Sequence, residues 1–319
     1  MLNSRNIGLA VLFLATVGAI NAGMAAWYRH ATEKTRWTTA TEHEFHTVEG
    51  STQTFILGDS HAKCGVDPRL MDKSFNLATL GASYLHTYSR LKALLDDKTV
   101  SLRRVLLPMD THSLAWQQSR MEDVAYWAHY VDYGTLTLKT GNLGYFGRRF
   151  LLGDGFPYLG QGDVMLAWLV GRGKTTTPYP MIKGYIELPG DWAHVTVSER
   201  VRQARNEAAF LHDNYHCLNP FMIACFNKAV ALCEAKHIQI VLVRYPVTKQ
   251  MLTCIEQNVP LDKLQDFYDT VAADHPDIIR LNFIDLLADD PACFADADHL
   301  NPRGAKRFTR QLKTKLAAQ

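Results

Sequence analysis

A serine and a histidine, each with acids beside it, stand near opposite ends of this 319-residue chain. Ser60 lies in Gly58-Asp59-Ser60-His61, directly after the apolar run Thr54-Phe55-Ile56-Leu57. His299 closes Asp296-Ala297-Asp298-His299. A serine hydroxyl becomes an effective nucleophile when a base takes its proton and a third group orients that base. A short strand that stops at a Gly-Asp-Ser turn presents such a hydroxyl at its end, and a following helix N-terminus favours negative charge there. In a turn or short helix, positions i and i+3 share a face. Asp296 is therefore expected to face His299, with Asp298 pointing elsewhere, and His61 is expected to point away from Ser60. Each residue also has a plainer reading: Ser60 as a helix cap, His299 as a surface histidine.

The elements that would position these residues alternate along the chain. Strands are predicted at Thr54–Leu57, Ser74–Leu77, Val105–Pro108, Ile238–Val243 and Ile278–Phe283. Helices are predicted at Tyr84–Leu95, at Asn219–His237 with Asn219 as cap and Pro220 in the first turn, at Leu261–Ala273 and at Pro302–Leu316. This rhythm predicts an α/β fold with a parallel sheet of about five strands flanked by helices, its ligand site at the carboxyl ends of the strands. About 100 residues, from about 113 to 217, break the rhythm, far more than an ordinary connection. They include Trp116, Trp127, Trp168 and Trp192, and we read them as an insertion forming a cap or a partner surface. Tryptophans there could stack on sugar rings or lie in a core. The apolar stretch Tyr145–Arg172 could dock on a membrane or partner, or be a buried part of the cap.

The N-terminus sets the compartment. Ile7 to Tyr28 carries no charge, with Thr16 and Asn21 as its clearly polar interruptions. About 20 such residues form a helix about 30 Å long, enough to cross a bilayer. Residues 1–28 are accordingly expected to be a membrane anchor, 29–51 a polar stalk and 52–319 the catalytic domain with its insertion. Cleavage as a signal peptide near Gly23-Met24-Ala25 is the alternative. Counting positive charges around the segment weakly places the C-terminal part in the cytoplasm, since Arg5 precedes it and Arg29, Lys34 and Arg36 follow it.

A formal net charge of +2 gives no electrostatic case for nucleic acid as a partner. The six cysteines are dispersed, without CxxC spacing, so no zinc site is expected; a disulfide and packed thiols are equally open readings. No motif implies a metal, nucleotide or redox cofactor.

Three blocks, ILGDSH, FNLATLGASY and FADADHLNPRGAKRFT, occur in the order found in the SGNH, or GDSL-like, hydrolase superfamily, and the chain resembles that superfamily from residue 54 to 315. The resemblance implies a flavodoxin-like SGNH fold, Ser60 as nucleophile, Asp296 as orienting acid and His299 as base. The Ser60 and Gly81 backbone N–H groups would form part of an oxyanion hole. The third block departs from the pattern: PMDTH replaces GxND, which removes the usual asparagine donor, and an ionised Asp110 cannot donate. Asn76 or Asn142 could substitute; Asp110, His112 and Arg244 are further candidate substrate contacts. Within the superfamily, the chain is similar to membrane-anchored bacterial cell-envelope proteins of alginate O-acetylation and of D-alanyl transfer to teichoic acids. This implies a single-pass inner-membrane protein whose domain is periplasmic or otherwise extracytoplasmic, against the charge count. It implies a surface polysaccharide substrate and a membrane-bound O-acyltransferase partner. The expected activity is O-acetyl transfer; a deacetylase or esterase, and a non-catalytic scaffold of a polysaccharide complex, are the alternatives.

Overall fold

The structure is a computed structural model that describes residues 4–32, 37–110, 113–114, 124–127, 130–132, 144, 147, 155–156, 158, 179–214 and 218–319. The chain divides into two compact units, residues 1–40 with 119–177, and residues 41–118 with 178–319.

The larger unit is built on a five-stranded parallel sheet. Its strands are β1 (Thr54–Ile56), β2 (Ser74–Asn76), β3 (Arg104–Pro108), β6 (Gln239–Arg244) and β7 (Ile279–Asn282), in the order β2-β1-β3-β6-β7. A separate antiparallel hairpin pairs β4 (Met181–Ile182) with β5 (Tyr185–Ile186). Chain order reverses direction between β1 and β3, which makes their carboxyl ends a topological switch point, the place where open α/β sheets bind ligands.

Two-residue periodicity sends alternate strand residues to two cores. Phe55, Leu57, Val105, Leu107, Ile240 and Leu242 pack on one face, against α4 (Tyr84–Asp96), α7 (Pro220–Ala235) and α9 (Leu261–Asp274). Ile56, Leu106, Val241 and Val243 pack on the other. There they meet α3 (Ser60–Gly65), α6 (Val197–Asn214), α8 (Lys249–Asn258) and α10 (Pro302–Ala317). All five predicted strands and the four predicted helices are present within a few residues of their expected bounds. Asn219 caps α7, its Oδ1 accepting the N–H groups of Phe221 and Met222.

Two expectations change. Residues 41–51, read as part of a stalk, pack on the domain: α2 (Trp37–His46) buries Phe45 against the sheet, Glu42 pairs with Arg90 at 2.6 Å, and Lys63 donates to Thr41 at 2.9 Å. Part of the insertion is integral to the domain as well. Trp192 is fully buried in the core, so it stacks on no sugar, and the N–H of Asn76 donates to the carbonyl of Lys183 in the β4–β5 hairpin.

In the smaller unit, α1 (Ser4–Thr32) carries an apolar stretch, Asn6–Tyr28, long enough to cross a membrane. Ile7, Leu9, Val11, Leu12, Phe13 and Leu14 are exposed along it, as lipid-facing side chains would be. Asn21 donates to the carbonyl of Gly155 and accepts from the Tyr158 hydroxyl, so this polar interruption is satisfied within the unit. A one-turn helix, α5 (Val124–Trp127), also belongs to this unit.

Candidate active site

Ser60 is the first residue of α3 and follows β1 across three residues. Gly58 makes that short crossing possible: its φ is +132°, and a Cβ there would sit 3.2 Å from the Pro108 ring. Asp59 caps the helix, its Oδ1 accepting the His61 N–H at 2.9 Å. The loop after β2 is tied to the same turn by the Thr79 N–H, which donates to the Gly58 carbonyl.

The segment 294–299 is an irregular loop and not a helix. Asn301 holds it. Its Nδ2 donates to the carbonyls of Gly190, Ala292 and Phe294, while its Oδ1 accepts the Gly304 N–H and caps α10. Gly304 lets α10 approach the loop closely, since a Cβ would lie 2.0 Å from the Cys293 carbonyl oxygen. Asp296 folds back on its own loop, its Oδ1 accepting the N–H groups of Asp298 and His299.

These two constructions bring Ser60 Oγ within 2.8 Å of His299 Nε2. On the other ring nitrogen, Nδ1 lies 3.0 and 3.1 Å from the two oxygens of Asp296. Asp298 does not point elsewhere: its Oδ1 is also 3.0 Å from Nδ1. The i, i+3 argument assumed a helical turn, whereas the loop turns both carboxylates onto the imidazole. The two differ in setting, Asp296 with 45% of its side chain exposed and Asp298 with 6%. His61 does not point away either. Its ring stacks on that of His299 at 5.0 Å and 18°. Its Nε2 is 3.5 Å from Asp298 Oδ2, and its Nδ1 is 3.2 Å from Asp59 Oδ1.

Burial opposes a charge on His299, but the Asp298 charge and the hydrogen bond to Asp296 outweigh it and hold its pKa well above the usual histidine value. His61 behaves alike: burial works against its charge, and Asp59 and Asp298 raise its pKa well above the usual value. Burial likewise opposes ionisation of Asp298, yet its contacts with His299 and His61 keep its pKa well below the carboxylate range. Burial pushes Asp110 up to about 7.

Asp59, His61 and Asp110 bring donor atoms within 4.8 Å of one another, as do His61, Asp298 and His299. A cation would need such spacing, but both His61 nitrogens and the Asp59 and Asp298 oxygens facing the rings already serve imidazole–carboxylate contacts, and we read these as ion pairs and not as metal ligands.

Gly81 lies in a turn closed by the Ala82 N–H on the Thr79 carbonyl, exposed, with φ of 69°. Asn76 is not available to a substrate: fully buried, it donates to the carbonyls of Ala62 and Val66 and accepts from the Ala78 N–H. Asp110 is also buried. Its Oδ1 accepts the Tyr245 N–H at 3.3 Å, and its Oδ2 has no hydrogen-bond partner among the described residues. Arg244 ends β6 at the same sheet edge, buried, where its charge interacts with that of Asp110. His112, Asn142 and most of Tyr145–Arg172 lie outside the described residues. Cys64, Cys233, Cys254 and Cys293 are free and buried, Cys225 is buried as well, and Cys217 lies outside the described residues. Burial pushes the Cys64 thiol up to about 11, which fits a packed thiol and not a second nucleophile.

Sequence reasoning missed Asp59, His61 and Asp298 as members of the site, although all three stand inside the two motifs. It also missed Glu207 of α6, whose carboxyl is raised by burial and by the neighbouring Asp298 charge. No motif surrounds Glu207.

No family model matches the chain, and no curated protein does. Among solved structures, one from Streptococcus pneumonia, of a protein proposed to be a platelet activating factor, is 13% identical. The match covers 97% of this chain and 99% of that one at a TM-score of 0.38. A similarity of that size assigns neither fold nor activity; the site's own geometry has to carry the reading.

Proposed function

We propose that this chain forms an acyl ester on Ser60 and passes the acyl group, acetyl in the simplest case, to a hydroxyl of a cell-surface polysaccharide. The observation that carries the reading is the 2.8 Å approach of Ser60 Oγ to His299 Nε2, with two carboxylates on the far ring nitrogen. In the first half-reaction, Ser60 Oγ attacks the acyl carbonyl carbon while His299 Nε2 takes the hydroxyl proton. The carbonyl electron pair moves onto oxygen, where the N–H groups of Ser60 and Gly81 are the proposed donors. Collapse expels the donor's leaving group, which His299 protonates. In the second half, His299 takes the proton of the acceptor hydroxyl as its oxygen attacks the ester. Collapse then returns that proton to Ser60.

Support for the acceptor comes from the resemblance to envelope O-acylation proteins and from the apolar helix at the N-terminus. Both fit an extracytoplasmic, membrane-held domain that receives acyl groups from a membrane-bound O-acyltransferase. Water as acceptor, which makes the protein an esterase or deacetylase, is favoured by one feature: the His299 and Asp296 side chains are 21% and 45% exposed, so solvent reaches the base.

The test incubates the full chain in detergent with p-nitrophenyl acetate and an oligosaccharide acceptor, followed by mass spectrometry of the sugar. Slow p-nitrophenol release with Ser60-dependent gain of acetyl groups is expected. Fast hydrolysis without acetylated sugar would establish the esterase. Unchanged polysaccharide acetylation in cells carrying Ser60→Ala would leave the scaffold.

A further inference from the structure

We propose that His61 is a positioning residue which, by sharing Asp298 with His299, fixes the base and sets the pH at which it works. The inference rests on the serine–histidine reading above and concerns a residue that reading does not use. Asp298 is buried and its two oxygens are divided: Oδ1 is 3.0 Å from Nδ1 of His299 and Oδ2 is 3.5 Å from Nε2 of His61. The second imidazole is held from behind by Asp59 and lies parallel to the first at 5.0 Å. The line Asp59–His61–Asp298–His299–Ser60 therefore runs from the buried interior to the nucleophile.

Asp59 and Asp298 are both buried against the His61 ring, and an uncompensated buried carboxylate is strongly unfavourable. A charged His61 compensates Asp59 and shares Asp298 with His299. It also places a positive charge beside His299 and takes part of the Asp298 charge that would otherwise act on His299 alone. Other groups face the pair. Asp296 comes from the same loop as His299, Cys64 from α3 and Glu207 from α6. Asp110, from the end of β3, faces His61. None of them touches both rings as Asp298 does among the described residues.

Opposite shifts follow from the two neighbours. Removing the His61 charge makes His299 easier to protonate; removing the Asp298 charge makes it harder. The test is the rate at which a fluorophosphonate labels the full chain in detergent, measured against pH. The serine oxygen displaces fluoride from phosphorus and His299 accepts the proton, so no acceptor or natural substrate is needed. His61→Gln should move the acidic limb of the labelling profile up by about one pH unit or more, and Asp298→Asn should move it down by a similar amount. If His61→Gln does not fold by circular dichroism, His61→Gln/Asp59→Asn removes the carboxylate left unpaired while keeping an oxygen cap on α3, and should move the limb in the same direction by a smaller amount, because the more distant Asp59 charge is lost with that of His61. A limb that stays in place, with or without a lower plateau, reduces His61 to a packing residue and overturns the inference. Ser60→Ala separates the two levels. If it still labels, or if the wild-type chain does not, the serine reading falls and this inference with it. If Ser60→Ala is silent while the His61→Gln limb is unmoved, the positioning role fails by itself.

Discussion

Asp298 Oδ1 lies 3.0 Å from Nδ1 of His299, as close as the Asp296 oxygen that the i, i+3 spacing singles out. The same nitrogen thus faces an exposed carboxylate with hydrogen-bond geometry and a buried one held on its other side by His61.

Two carboxylates on one nitrogen make the orienting group redundant. Asp296→Asn keeps an oxygen for the loop N–H groups and should lower kcat/KM by about tenfold. The double variant Asp296→Asn/Asp298→Asn should lose on the order of 10³-fold or more, since nothing then selects the imidazole tautomer. Steady-state ester hydrolysis decides this. A single Asp296→Asn variant as poor as the double would show that Asp298 does not orient the base.

The activity should rise with pH. His299 acts as a base when neutral, and its pKa is held well above the usual histidine value, so the acidic limb of kcat/KM should lie above about pH 6.5. A limb at or below that value would mean the two carboxylates do not act on the ring as their distances imply.

Stability should run the other way. His61 and His299 have raised pKa values in the folded state, so their contribution is complete below about pH 6.5 and is lost as pH climbs through those values. Asp110, raised to about 7, resists ionisation and removes further stability between about pH 4 and 7. Asp298, depressed, contributes above about pH 4 and loses its effect on acidification. Urea unfolding should therefore show lower stability at pH 9 than at pH 6. Asp110→Asn, which keeps an oxygen for the Tyr245 N–H, should gain on wild type as pH rises from 5 to 8. Parallel stability curves for the two proteins would rule out an ionising Asp110.

The loop that carries the acids and base depends on a close approach. In Gly304→Ala, the new Cβ would overlap the Cys293 carbonyl, so α10 or the loop must shift. Destabilisation of about 3 kcal/mol or more is expected, together with loss of labelling at Ser60. Asn301→Ala removes four hydrogen bonds and should cost about 2–4 kcal/mol. Thermal unfolding measures both, and a neutral Gly304→Ala would contradict the packing of α10 on this loop.

Membrane attachment is expected to survive carbonate extraction, because Asn6–Tyr28 is long and apolar enough to span the bilayer. A soluble mature protein beginning near Ala26 would establish cleavage instead.

Much of the architecture was legible in the sequence for a local reason. Strand and helix periods are short-range patterns, so Ile240–Val243 announces a buried strand and Asn219-Pro220 a helix start without reference to anything distant. The adjacency of Ser60 to the end of β1, and of His299 to Asp296, is likewise written within a few residues. What the sequence left open was decided by contacts between segments far apart in it. Asn76 looks like an available amide, yet the carbonyls of Ala62 and Val66 consume it. Trp192 looks like a sugar platform, yet the core encloses it. His61 and Asp298 look like bystanders in their own motifs, because spacing rules assume regular helices; their roles appear when an irregular loop, held by Asn301 and Gly190, folds onto α3. Residue types and short spacings determine which groups can do serine acyl chemistry. Tertiary packing, by choosing which of them lose water and which share a proton, decides which groups can work together.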